Sequence, residues 1–297
     1  MRSHKSLKSI QAILFDIDGT LLSRMHDIPT LPVRDAIKRT QDKGILVSIV
    51  TGREINGFES INKWLGITAP VVLAGGARLY DPRKQKDLWT CYFNASEIKA
   101  LISLLLEQNA AFYAHAGRIR FESSAYAQLI VNLVDESLAQ GRTPRKRTPS
   151  NELIPSALSS LDFTKLTYLI WNLKPEALDE ARRVLHQFSD IAYAVVGSPR
   201  NEMRNAGMVG VYITHSQATK QHGVFELSKV TGVPLQNIVG VGDEENDFPL
   251  LMACGYRVAM GNAVSSLKDI AHFIAPSVEE DGAVQVIEMI LEAQDTD

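Results

Sequence analysis

Apolar residues at the start of the chain come in short unbroken runs, separated by stretches of helical period. Ile13-Leu14-Phe15 reads as a buried strand ending at Asp16. Residues 45–50, rich in β-branched side chains, read as a second strand ending at Thr51. Val71-Val72-Leu73 reads as a third. Helices are expected between them over 33–43, stopped by Gly44, and over 55–65, closed by Gly66. Near-continuous apolar strands alternating with helices predict a parallel sheet covered on both faces.

The pattern changes after Pro82. Strands are expected near 88–93, 111–114, 119–121, 166–171 and 191–196, and helices over 97–108, 126–138 and 175–188. Asn94 and Glu97 stand at capping-box spacing for the first of these helices. From Val209 the first pattern returns, with a strand at 209–213, a helix at 220–230, a strand at 238–241 and a short helix around 247–253. This order predicts an α/β core of Rossmann-like type over 1–82 and 208–297, split by an inserted α+β domain over 83–207.

Candidate chemistry collects at strand ends. Asp16-Ile17-Asp18-Gly19-Thr20 follows the first strand directly, and Gly19 frees the backbone to turn. The carboxyl edge of a parallel sheet is where α/β proteins bind ligands, and two carboxylates placed there call for a cation or a proton. Asp243 and Asp247, after the strand at 238–241, are hard oxygen donors of the kind magnesium takes, or a polar turn capping the next helix. Thr51 and Gly52 open a helix, a place suited to a phosphate and equally to a simple N-cap. Lys220 opens the helix at 220–230, where its charge opposes the macrodipole. An anion would compensate it; a solvated surface lysine is the alternative.

The 297 residues carry a formal net charge of -3, which gives no reason to expect a nucleic-acid or acidic-membrane partner. Two cysteines, Cys91 and Cys254, lie far apart and outside metal-ligand spacing, so both read as reduced thiols of a cytoplasmic protein. The basic N-terminus is followed by too short an apolar stretch for a signal sequence, and no run of about 18 apolar residues occurs. Arg142, Arg145, Lys146 and Arg147, beside Pro144 and Pro149, read as a solvated loop before they read as a phosphate or nucleic-acid site. His115, Arg118 and Arg200 read as surface or structural groups.

Together the four strand ends resemble the motifs of the haloacid dehalogenase-like hydrolase superfamily, and the late GDxxND form with a long insert resembles its Cof-type phosphatase branch. The resemblance implies a phosphatase acting on small phosphorylated metabolites, with Mg²⁺ as cofactor. Asp16 would be the nucleophile and Asp18 the acid and then base, holding its proton through neighbouring carboxylates or limited solvation. Thr51, Gly52, Lys220 and Asn246 would hold the phosphoryl oxygens. Mg²⁺ would be bound by Asp16, the Asp18 carbonyl, Asp243 and Asp247. A phosphomutase using the same aspartyl-phosphate, or a non-catalytic module on the same fold, are the competing expectations. Two departures stand out. Gly75 occupies the place of the usual Asn after the third strand, and Lys220 is followed by Gln221-His222-Gly223 rather than directly by Gly.

Overall fold

The structure, a computed structural model, describes residues 4–23, 26–142, 151–153, 161–197 and 201–295. Arg145, Lys146, Arg147 and Arg200 lie outside the described residues.

In chain order, β1 (Ala12–Phe15) leads to α1 (Leu31–Asp42), β2 (Leu46–Ile49) and α2 (Ile55–Leu65). The strands β3 (Val71–Leu73), β4 (Arg78–Asp81) and β5 (Lys86–Thr90) follow. Next come α3 (Ala95–Glu107), β6 (Ala111–Ala116), β7 (Ile119–Ser123), α4 (Ser124–Ala139) and β8 (Asn151–Leu153). After these are β9 (Tyr168–Leu173), α5 (Leu178–Leu185), β10 (Ile191–Gly197), α6 (Asn201–Asn205) and β11 (Val209–His215). The last part holds α7 (Lys220–Thr231), β12 (Ile238–Gly242), α8 (Phe248–Ala253) and β13 (Tyr256–Ala259). It closes with α9 (Ser265–Ile270), β14 (Phe273–Ile274) and α10 (Gly282–Asp295).

The chain divides into two compact units, Met1–Thr90 with Thr219–Asp297, and Cys91–Ala218. In the first, a parallel sheet runs in the order β14-β13-β12-β1-β2. Beyond β2 a single parallel bridge, Val50 to Val72, reaches β3, which then forms an antiparallel sheet with β4 and β5. Burial is complete along β1, as its unbroken apolar run requires. Thr30 caps α1, with Pro32 in its first turn, and Gly66 ends α2 in the left-handed conformation at φ 69. Gly223 lets α7 approach β3, since a Cβ there would come within 2.3 Å of the Val72 side chain.

The second unit is a mixed sheet in the order β10-β11-β9-β6-β7-β8, antiparallel except for β7 with β8. Its core is separate from that of the first unit and includes Ile98, Leu101, Phe112, Leu169, Trp171 and Ile213. Asn94 caps α3 by accepting from Ser96 N–H at 3.0 Å. Glu97 is used elsewhere than in the expected capping box: it accepts from Ser189 Oγ at 2.9 Å and Asp190 N–H at 3.0 Å.

Both expected junctions fall later in the sequence. The strand expected at 209–213 is not part of the parallel core: β11 pairs antiparallel with β10 and β9, and Val211 and Ile213 join the second core. Apolar character marks a strand without naming the sheet it joins.

Candidate active site

Every residue of the candidate site lies in the first unit. Asp16 follows β1, Thr51 follows β2 and Asp243 follows β12, three neighbouring parallel strands whose carboxyl ends share one edge. Asp16, Asp243 and Asp247 are all buried, each with a carboxylate oxygen within 4.8 Å of the others. Lys220, the first residue of α7 and 3% exposed, sits among them. Its Nζ donates to Asp16 Oδ1 at 2.7 Å and also to Asp247 Oδ1.

Glycines allow this density. A Cβ on Gly19, whose φ is +94, would lie 2.0 Å from Asp243 Oδ2, and one on Gly242 would lie 2.5 Å from the Asp247 side chain. Asp247 Oδ2 accepts from the backbone N–H of Asp243 at 2.9 Å and of Glu244 at 3.1 Å, which fixes its turn. Thr20 Oγ1 donates to Asp243 Oδ1 at 2.9 Å.

The electrostatics are frustrated. Burial, together with the charges of Asp247 and Asp18, outweighs the pull of Lys220 and raises Asp16 to about 7. Burial, then Asp16 and Asp247, raises Asp243 to about 8. For Lys220 burial acts downward, but Asp16 and Asp247 prevail and hold the ammonium charged. One lysine does not neutralise three crowded carboxylates. Hard oxygen donors that repel one another in a buried pocket fit a divalent cation, which restores the charge balance.

Asp18 departs from expectation. Its side chain is 58% exposed and turns to Arg53, whose Nε and Nη2 donate to its two oxygens at 2.7 and 2.6 Å. The limited solvation expected around it is not found. The guanidinium and the carboxylate form a charge-assisted, bidentate pair.

Thr51 is buried, and its Oγ1 accepts from Arg53 N–H at 3.2 Å. Its backbone is clamped between strands, Thr51 N–H donating to the Val72 carbonyl and the Thr51 carbonyl accepting from Gly75 N–H. Gly75 lies at φ 66, ψ 15, and Gly76 at φ 110. The bend matters for Lys220, since a Cβ on Gly76 would be 2.0 Å from the Thr219 carbonyl oxygen. Asn246 lies half-buried on the turn Glu245–Asp247. Lys220 thus binds Asp16 and Asp247 at once.

Sequence reasoning assigned no role to Arg53, Thr20 or Asn262. Arg53 and Thr20 lie inside the motifs already singled out, which was the available signal. Asn262, in a turn with no charged or metal-ligating neighbour in sequence, offered none. His115 is half-buried on β6 and stacked on Tyr168 at 4.9 Å, and Arg118 is exposed.

Known proteins resemble the chain from end to end. The family model for haloacid dehalogenase-like hydrolases matches residues 13–287. A 5-amino-6-(5-phospho-D-ribitylamino)uracil phosphatase of Bacillus subtilis, YwtE, is 26% identical over 96% of this chain and 99% of its own. Phosphatase YwpJ of the same organism is 25% identical, covering 95% of this chain and all of that protein (100%). Among solved structures, the phosphatase BT1666 of Bacteroides thetaiotaomicron superposes with a TM-score of 0.76 at 20% identity, over 95% and 96% of the two chains. The sugar phosphatase BT4131 gives a TM-score of 0.75 at 19% identity, over 94% and 98%.

Proposed function

The chain belongs to the haloacid dehalogenase-like hydrolases, and from that premise we propose that it is a Mg²⁺-dependent phosphatase of small phosphorylated metabolites. The observation that carries the reading is Lys220 Nζ bonded to Asp16 and Asp247, with Asp243 completing a buried carboxylate cluster at the sheet edge. Relatives named as phosphatases for a phosphoribitylamino-uracil and for sugars support phosphorylated sugars and polyols as the substrate class.

Asp16 attacks phosphorus and the bond to the ester oxygen breaks, leaving an aspartyl-phosphate on Asp16. The departing alkoxide takes its proton from Asp18. Asp18, now a carboxylate, accepts a proton from water as that water attacks the same phosphorus. Inorganic phosphate leaves and Asp16 is regenerated. Lys220, Thr51, the N–H groups at Gly52 and Asn246 hold the phosphoryl oxygens while charge spreads over them. Asp16, Asp243, Asp247 and the Asp18 carbonyl would hold Mg²⁺, which supplies the positive charge that lets one anion approach another.

Arg53 holds both Asp18 oxygens, which supports Asp18 as an oriented group for these two duties. Among the described residues no helix is long and apolar enough to cross a membrane. Cys91 and Cys254 are free thiols, which supports a reducing cytoplasmic setting. The experiment is a screen of phosphorylated metabolites with Mg²⁺, read as inorganic phosphate. Release from sugar and polyol phosphates that stops with EDTA supports the reading. Isomerised sugar phosphate with little free phosphate would point instead to a mutase.

A further inference from the structure

Asn262 lies on the turn between β13 and α9, and three neighbours orient its amide. Nδ2 donates to the Gly19 carbonyl at 2.9 Å and reaches Asp243 Oδ2 at 3.4 Å, while Oδ1 accepts from Val278 N–H at 2.9 Å. Two acceptors face the NH₂ and one donor faces the oxygen, so a single orientation of the amide satisfies all three. Gly19 and Asp243 are themselves in contact, with no room for a Cβ between them. Asp243 therefore has Thr20 at one carboxylate oxygen and Asn262 at the other.

The same two stretches of chain meet again away from the carboxylates. Ser23 Oγ donates to Glu279 Oε1 at 2.7 Å, and Thr30 Oγ1 donates to Asp281 Oδ1 at 2.7 Å. These contacts form a seam between the segment after the nucleophile and the segment that precedes α10. Asn262 stands where that seam touches Asp243. Ser23 and Thr30 tie the seam through Glu279 and Asp281 instead.

We propose that Asn262 is a positioning residue for the divalent-cation site, holding the Gly19 turn and the Asp243 carboxylate in the mutual arrangement that a cation requires. The inference rests on the metal reading above. A neutral amide suits the position. A carboxylate would be repelled by the Gly19 carbonyl and by Asp243, and an ammonium would compete with the cation for the Asp243 oxygen. Groups that orient a metal ligand in this way matter about tenfold to a hundredfold in affinity.

The test is calorimetric titration of Mg²⁺ into metal-stripped wild type, Asn262→Ala and Ser23→Ala, with thermal unfolding of each. Asn262→Ala is expected to bind Mg²⁺ about tenfold more weakly, and Ser23→Ala to stay within about twofold of wild type. Both lose some thermal stability. Unchanged affinity in Asn262→Ala overturns the inference. So does equal weakening in Ser23→Ala, which would make the whole seam a device of the fold. A wild type that binds no Mg²⁺ overturns the metal reading itself and this inference with it. Should Asn262→Ala not fold, Asn262→Ser keeps a small polar group without spanning Gly19 and Val278, and is read in the same way.

Discussion

Arg53 grips Asp18 through both carboxylate oxygens, while Asp16, two residues earlier, is buried against Lys220. Two acids on one turn thus have opposite surroundings. One is exposed and paired by a fork, the other enclosed and shared with a lysine. Different surroundings are what let neighbouring carboxyl groups take different chemical roles.

Asp18→Asn is therefore expected to separate substrates by leaving group. Turnover of alkyl phosphates, whose alkoxide needs a proton, should fall by about 10²–10⁴-fold. p-Nitrophenyl phosphate, with its stable phenolate, should lose far less in the bond-breaking step. Burst kinetics on both substrates check this, and equal loss of the burst on both would remove the acid role.

Lys220→Met tests the buried cation. It leaves Asp16 and Asp247 without their shared partner, so metal-free protein should lose about 3–5 kcal/mol of stability. Added Mg²⁺ should recover part of that loss. Denaturant unfolding with EDTA and with Mg²⁺ measures both quantities.

Stability of the metal-free protein should also depend on pH. Asp16 and Asp243 rise from 3.8 to about 7 and about 8 on folding. The folded state therefore holds more protons than the unfolded one between those values. The stabilisation is full below the unfolded value and is lost as pH rises through the folded ones. Melting temperature in EDTA should fall from about pH 5 to pH 8, and saturating Mg²⁺ should flatten the slope because the cation replaces the protons. An EDTA profile without this fall would contradict the burial of the two acids.

Strand ends marked much of the candidate site in the sequence. The apolar runs stop at Asp16, at Thr51 and just before Asp243, and a buried parallel strand ends where polar side chains begin. What stayed hidden was relational. Nothing in residues 209–213 says that β11 pairs with β10 and β9. Glu97, at capping-box spacing, serves Ser189 and Asp190 far along the chain. Asn262 acquires meaning once Gly19, Asp243 and Val278 surround it. Local pattern fixes what a residue can do, while tertiary packing selects its partner.

The turn after β3 gives a paired prediction. Gly76→Ala adds a Cβ that meets the Thr219 carbonyl oxygen at 2.0 Å and the Lys220 nitrogen at 2.7 Å, at a φ of +110. It should cost at least about 1–3 kcal/mol and displace the start of α7. Gly75→Asn places at φ 66, ψ 15 a residue that tolerates the left-handed region, and should change stability by less than about 1 kcal/mol. Chemical denaturation of the two variants distinguishes them.

The proposed reaction passes through a covalent phosphoryl group on Asp16. Quenching the enzyme in acid during turnover, reducing with borohydride and sequencing peptides by mass spectrometry reads it directly. Homoserine at position 16, formed from the aspartyl-phosphate, is the expected product. A phosphoryl group or reduction product on any other residue, with position 16 still aspartate, would contradict it.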